Sequence, residues 1–363
     1  MRTAVNIARF RLAAAGLLML TAPVLADTSR TRARAVTQLA DGVYTIRHVD
    51  PFPGYVHGNT TVIIGDREVF VVDSCNTSAA AKEDIAQIRQ WTAKPVRWVL
   101  NTHWHQDHNA GNKDYLEAFP GVAILAHTET KAMLDATTPH VSADGVRILS
   151  DALEQTKKTL ARGKGATGKP LSDAGRKDLE EQIAAGPSML ESLRTYVYQP
   201  PTMAFEESLT IDLGGREVQV THPGRGNTGG DAIAYLPKER ILIVGDLVVH
   251  PVPFTFDGYP SDWVHTLDTL AAFDATTIVP GHGEVEHDKT YLLALRSLLQ
   301  SVVSQVNAQV LRNSEVTLDE VKKQFDIKNL RQKTLGEDKE DAYFFDYAMA
   351  SFTSLAFYEA KQR

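Results

Sequence analysis

The segment His103-Trp104-His105-Gln106-Asp107-His108 constrains this chain more than any other. Three imidazoles and a carboxylate fall within six positions, although the whole chain of 363 residues has only 12 histidines. Neutral imidazole is the commonest protein ligand for a metal ion. On an extended backbone His103 and His105 face one side, Asp107 continues it and His108 faces away. Six straight residues therefore cannot aim all four groups at one point. Either the chain turns here, or the four groups serve two adjacent ions. The second arrangement belongs to a two-metal hydrolytic centre rather than to a structural zinc.

The N-terminus carries a different signal. Arg2, Arg9 and Arg11 precede an apolar run from Leu12 to Leu20, and Val24-Leu25-Ala26 has the small-x-small form of a cleavage site. Residues 1–26 are predicted to be a secretory signal peptide, which places the mature protein in the periplasm or outside the cell. The apolar run is shorter than the ~20 residues a membrane span needs, and no later segment qualifies. Removing three arginines and no acid takes the formal charge from −7 to −10. An acidic chain of this kind is a poor binder of nucleic acid. Cys75 is the single cysteine, so no internal disulfide can form. A thiolate-rich zinc site is excluded, and nitrogen and oxygen ligands are expected. After an apolar run, Cys75 reads as a small buried filler.

Patterning divides the remainder. Val43–Ile46, Thr60–Ile64 and Val69–Val72 read as strands joined by tight turns, and 79–91 as a helix. Val96–Leu100 is a short strand with the histidine cluster directly after it, where α/β enzymes place their chemistry. A strand at Val122–Leu125 follows. Residues 128–198 switch to helical spacing through Leu149, Leu153, Thr156 and Leu160, and break at Gly163. A second helix starts near Ser172, with an interruption expected at Gly186-Pro187. This is a helical insertion of about seventy residues. Strands resume at 209–213, 217–221, 232–236, 241–244 and 277–279, with a helix over 261–273. Residues 291–363 form a helical extension, in which Thr317 and Glu320 make a capping box. Its last helix, about 341–360, carries aromatics that suit a core or an oligomer contact.

Three more pieces of chemistry lie downstream, each near a strand end: Gly224-Arg225-Gly226-Asn227-Thr228, Gly245-Asp246 and Gly281-His282-Gly283. Together with His103-x-His105-x-Asp107-His108, their order resembles that of the metallo-β-lactamase superfamily over roughly residues 40–290. The resemblance implies a four-layer αβ/βα sandwich with metals at one edge, spanning 27–290. It implies that His103 and His105 hold the first metal, and Asp107, His108 and His282 the second. Asp246 resembles the bridging aspartate of glyoxalase-II type thioesterases. Asn227 stands where most members have the third histidine of the first site, and an amide oxygen is a weaker zinc ligand than imidazole. His222 is a conceivable substitute. Asp73 is a candidate carboxylate behind a ligand imidazole, and His250 and Phe254 are candidates for the substrate groove.

The implied cofactor is zinc, one ion or two, with manganese or iron left open. The implied activity is metal-dependent hydrolysis of a small-molecule carboxylic ester, lactone, β-lactam or thioester, with Asp107 orienting the nucleophile and passing a proton. Phosphodiester nucleases fit an acidic chain poorly. Persulfide dioxygenases need the first site that Asn227 weakens, and alkylsulfatases are much longer chains. The alternative from another class is a non-catalytic periplasmic protein that binds metal or a partner on the same fold. It is motivated by Asn227 and by the aromatic last helix.

Overall fold

In the computed structural model, residues 33–50, 56–165, 170–335 and 342–362 are described. The predicted signal peptide lies outside them. Two sheets face each other. The first has seven strands in sequence order: β1 (Ala35–Ala40), β2 (Val43–Arg47), β3 (Thr60–Ile64), β4 (Val69–Val72), β5 (Val96–Leu100), β6 (Ala123–His127) and β7 (Met203–Phe205). The first four pair antiparallel, and β4 to β7 run parallel. The second sheet runs in the order β12 (Thr277–His282), β11 (Ile241–Val249), β10 (Ile233–Leu236), β9 (Glu217–Thr221) and β8 (Ser208–Asp212). Only β11 and β12 are parallel within it.

Alternation along the strands sets the layers. In β4, Phe70 and Val72 point between the sheets, where they meet Ile243, Val279 and Val220. Val69 and Val71 point outward into a cluster with Ile85, Ile88 and Tyr115. Those outer residues come from α1 (Ser78–Trp91) and α2 (Asn112–Ala118). On the opposite side, Leu242 and Val244 of β11 pack against α5 (Pro260–Ala272) and α6 (Thr290–Arg312). Helix, sheet, sheet and helix follow in turn, which is the four-layer αβ/βα sandwich. Burying both faces of β4 explains why it reads as an unbroken apolar run.

The insertion is a hairpin of α3 (Thr128–Arg162) and α4 (Asp173–Thr195), with its own small cluster of Leu149, Leu153, Met189 and Leu193. Gly163 ends α3 in the left-handed conformation, φ 64°. The expected break at Gly186-Pro187 is absent: α4 runs on through Pro187. Proline costs the helix one hydrogen bond. Gly186 offsets this by letting α4 lie against Leu153, whose Cδ2 would stand 2.5 Å from an added Cβ.

The C-terminal helices are α7 (Leu318–Gln324), α8 (Ile327–Leu335) and α9 (Ala342–Gln362). The capping box opens α7 as the sequence suggests. Phe345, Phe352 and Phe357 of α9 join Trp263, Leu267 and Leu299 in one core cluster. The Trp263 and Phe352 rings lie 5.6 Å apart. Much of the aromatic face of α9 is therefore used inside the chain. No helix among the described residues is long and apolar enough to cross a membrane.

Candidate metal centre

The histidine cluster begins three residues past β5. Asn101 and Thr102 leave the strand, and Gln106–His108 then wind into a single 3₁₀ turn. This turn swings His108 back toward the other ligands, so the chain bends and also splits its ligands into two groups. Asp246 projects from β11 and His282 ends β12. The strands meet closely there because of two glycines. Gly245 adopts φ 53°, and a Cβ on it would strike Thr102. A Cβ on Gly281 would lie 2.0 Å from Asp246 Oδ1.

Four atoms converge. His108 Nε2 is 3.2 Å from His282 Nε2 and 3.2 Å from Asp246 Oδ1. His282 Nε2 is 3.1 Å from Asp107 Oδ2 and 3.3 Å from Asp246 Oδ1, and Asp107 Oδ2 is 3.5 Å from His108 Nε2. Ligands ~2.0–2.1 Å from a tetrahedral zinc lie about 3.3 Å apart. These separations match that spacing. The two ring nitrogens carry at most one proton each, too few to bridge every close approach as hydrogen bonds. A cation among Asp107, His108 and His282 satisfies their lone pairs, with Asp246 Oδ1 beside both imidazoles, so these residues fit a metal ion.

The electrostatics agree. Burial lowers the His282 pKa, but Asp246 and Asp107 outweigh it and push it up to about 10. Burial is likewise outweighed at His108, which Asp246, Asp107 and Asp73 hold well above the ordinary value. Burial raises the pKa values of Asp107 and Asp246, but the surrounding imidazoles hold both carboxyls well below the usual range. Such a field attracts positive charge.

The second group is looser. His103 Nε2 is 3.0 Å from His105 Nδ1 and 3.6 Å from Asp246 Oδ2. Asn227 donates from Nδ2 to Asp246 Oδ2 at 3.1 Å, while its buried Oδ1 has no hydrogen-bond partner. An orphaned buried oxygen is costly, and the Asn227 amide shares Asp246 Oδ2 with His103, which puts it beside this group. His222 does not join them: its Nδ1 donates to the Asp231 carbonyl at 2.7 Å, and its ring stacks on His127 at 4.1 Å.

Supporting groups orient the ligands. Asp73 Oδ2 meets His108 Nδ1 at 2.7 Å and accepts from Thr102 Oγ1 at 2.8 Å. Asp73 Oδ1 accepts from the Thr102 amide. A carboxylate behind a ligand imidazole fixes its tautomer and tilt. Asp257 stands 3.4 Å from His105 Nε2 in the same role, and sequence reading missed it because no motif surrounds it. Phe254 packs on Phe256, whose ring reaches His105, and it stacks on Phe344 and Tyr347 of α9. Phe254 therefore belongs to an aromatic wall leading to the centre. His250 instead packs on Tyr291 and faces Glu286.

His57 is buried nearby. Burial and the neighbouring His48 push its pKa from 6.5 down to about 3. A depressed histidine contributes stability above pH 6.5 and loses it as the pH falls toward 3, because only the unfolded chain takes up the proton. Between pH 6.5 and 5 this ring alone should cost about 2 kcal/mol. Urea midpoints measured across that range should fall less steeply in His57→Gln than in the wild type. Parallel slopes would show that the ring titrates normally.

A sandwich with an imidazole–carboxylate cage at its sheet edge is the architecture of a metal-binding hydrolase. The family model described as the metallo-beta-lactamase superfamily matches residues 53–282, and the chain belongs to that superfamily. It is 33% identical over 270 residues to a type 2 metallo-beta-lactamase of Bacteroides fragilis, covering 70% of this chain and 84% of that one. It is 26% identical over 265 residues to a linear primary-alkylsulfatase of a Pseudomonas species, covering 70% of this chain and 47% of that one. Against a hydroxyacylglutathione hydrolase of Gloeobacter violaceus the identity is 34% over 79 residues, 20% of this chain and 31% of that one. The chain thus spans less than half the length of these last two relatives. A metallo-beta-lactamase structure from Pontibacter korlensis superposes with a TM-score of 0.53 at 19% identity, covering 74% of this chain and 99% of that one, which shows the fold.

Proposed function

We propose that the protein is an exported zinc hydrolase that opens a carboxylic ester, lactone, β-lactam or thioester. The observation that carries this reading is that His108 Nε2 and His282 Nε2 lie 3.2 Å apart and each lies 3.1–3.5 Å from both Asp107 Oδ2 and Asp246 Oδ1. Export rests on the leader-like pattern of residues 1–26. Zinc bound in the cage would lower the pKa of water to about 7 and polarise a carbonyl.

The residues divide the work. Asp107, His108, Asp246 and His282 would hold one ion, and His103 and His105 would hold a weaker second one beside Asn227. Asp107 is the most exposed of these carboxylates, at 18%. It is ionised at neutral pH, so its carboxylate accepts a proton from the attacking water and returns it to the leaving group. Asp73 and Asp257 keep His108 and His105 aimed.

A second reading is hydrolysis of an alkyl sulfate ester. The likeness to the alkylsulfatase motivates it. The aromatic wall of Phe254 and Phe256 beside His105 would suit an apolar tail.

Metal analysis of the purified protein, joined to a panel of β-lactam, lactone, thioester, phosphodiester and alkyl sulfate substrates, tests both readings. Bound metal and a chelator-sensitive rate on one substrate class are expected. Protein without metal, and without any gain of hydrolysis on adding zinc or manganese, would falsify the enzyme reading in favour of a binding protein. In Asn227→His the metal-to-protein ratio should rise. An unchanged ratio would mean that the amide oxygen already fills that place.

A further inference from the structure

A second cluster lies behind the catalytic loop, in a region that the hydrolytic chemistry does not use. His48 follows β2, Thr60 opens β3, Cys75 lies in the loop after β4 and Asp84 sits in α1. All four side chains are buried, the least so being His48 at 3%. His48 Nε2 is 3.1 Å from Asp84 Oδ2 and 3.3 Å from Cys75 Sγ. Cys75 Sγ is 3.1 Å from Asp84 Oδ2 and 3.3 Å from Thr60 Oγ1, which is 3.4 Å from His48 Nε2. Arg34 occupies the other carboxylate oxygen, Asp84 Oδ1, at 3.0 Å.

The spacing repeats that of the hydrolytic cage. The thiol, the imidazole nitrogen and the hydroxyl carry at most one proton each on these atoms. That is fewer than the close approaches among them, so a hydrogen-bonded network leaves some pairs with no proton between. A tetrahedral zinc with ~2.3 Å sulfur and ~2.0–2.1 Å nitrogen and oxygen bonds spaces such atoms about 3.3–3.6 Å apart. Fitting it needs an outward shift of a few tenths of an ångström. Sulfur with imidazole and carboxylate is a donor set for zinc or cobalt rather than calcium or magnesium.

The geometry points to a third, structural metal site, with His48 Nε2, Cys75 Sγ and Asp84 Oδ2 as ligands to a zinc-like divalent cation and Thr60 Oγ1 closing the shell. Binding expels the thiol proton to solvent and leaves the His48 proton on Nδ1. The site is closed and buried, so the ion is taken up as the chain folds. It would brace the catalytic loop from behind. Two residues before Cys75, Asp73 holds His108, and the Ser74 amide donates to the His108 carbonyl at 2.9 Å. The Cys75 carbonyl accepts from the Ala110 amide at 3.1 Å. Both Asp73 and Cys75 adopt positive φ, at 61° and 66°. Such strain in non-glycine residues persists where the surroundings over-determine it.

Cobalt(II) reports this site without reference to hydrolysis. Cys75 is the only cysteine, so any sulfur-to-cobalt charge-transfer band in the near ultraviolet belongs to it. The full chain folded in the presence of cobalt(II) as its only divalent metal should show that band. The double variant Asp107→Ala, His282→Ala should keep it while losing cobalt from the hydrolytic cage. Cys75→Ser should lose the band and about one metal ion per chain. A wild-type protein that takes up cobalt by metal analysis yet shows no sulfur band overturns the proposal, and it does so even where Cys75→Ser fails to fold. Equal metal content in Cys75→Ser and wild type overturns it as well.

Discussion

Asp246→Ala should lower hydrolysis by on the order of 10³-fold or more, which is about 4 kcal/mol of transition-state stabilisation. Removing one preorganised polar group from an active site typically costs 10²–10³-fold, and the Asp246 carboxylate serves both halves of the centre. Its Oδ1 lies 3.2 Å from His108 and 3.3 Å from His282, and its Oδ2 lies 3.1 Å from Asn227 and 3.6 Å from His103. Bound metal in the cages of the hydrolytic centre should fall together with the rate. Asp246→Asn preserves the shape, so it separates lost charge from lost packing. Since Asp246 is a main reason that the His282 pKa stands near 10, nuclear magnetic resonance titration of the metal-free variant should find that ring closer to its ordinary value. An alanine variant that retains full metal content and rate would remove Asp246 from the centre.

The second large effect concerns the C-terminal helix. Phe352→Ala should destabilise the protein by about 3–5 kcal/mol, the usual range for deleting a buried phenyl ring. For a domain of this size that is a fall of roughly 6–20 °C in unfolding temperature. Phe352 is fully buried between α9 and Trp263 of α5, so the cavity would open in the same core that supports β11. Leu311→Ala is the control, because Leu311 is 86% exposed and its loss should move stability by under about 0.5 kcal/mol. Equal thermal profiles for the two variants would show that α9 is an appendage and not part of the core.

Legibility of the sequence followed how local each signal is. The apolar run Val69-Phe70-Val71-Val72 announced a strand, and its burial on both faces shows in Phe70 and Val71 entering different clusters. The capping box at Thr317 marked α7 because both of its partners lie within four residues. In contrast β1 was not visible. It is an edge strand with exposed Val36, and no apolar alternation survives there. The short α2 and α8 were missed for a similar reason, since their burial is decided by neighbours distant in sequence. Pro187 misled because the pattern shows the lost hydrogen bond and hides the packing of Gly186 on Leu153.

The site behaved the same way. Ligand identities were readable as motifs, whereas their supports were split. Asp73 announced itself at a strand end before the cluster. Asp257 lies 152 positions from His105 and carries no pattern of its own. Cys75 read as a filler because its burial is local information, while its contacts with His48, Thr60 and Asp84 come from three other elements.

The hydrolytic cage draws on both sheets. His103 to His108 hang from β5 of the seven-stranded sheet, and Asp246 and His282 from β11 and β12 of the five-stranded one. No ion can be gripped by this set until the sheets have met, so ion capture and sheet docking are one event. A ligand bound only by the native form stabilises it by about 4 kcal/mol at a thousandfold excess over its dissociation constant. The melting temperature of this protein is therefore a gauge of metal supply. Starved of the ion, the chain should first become vulnerable to proteases along the seam between its two halves.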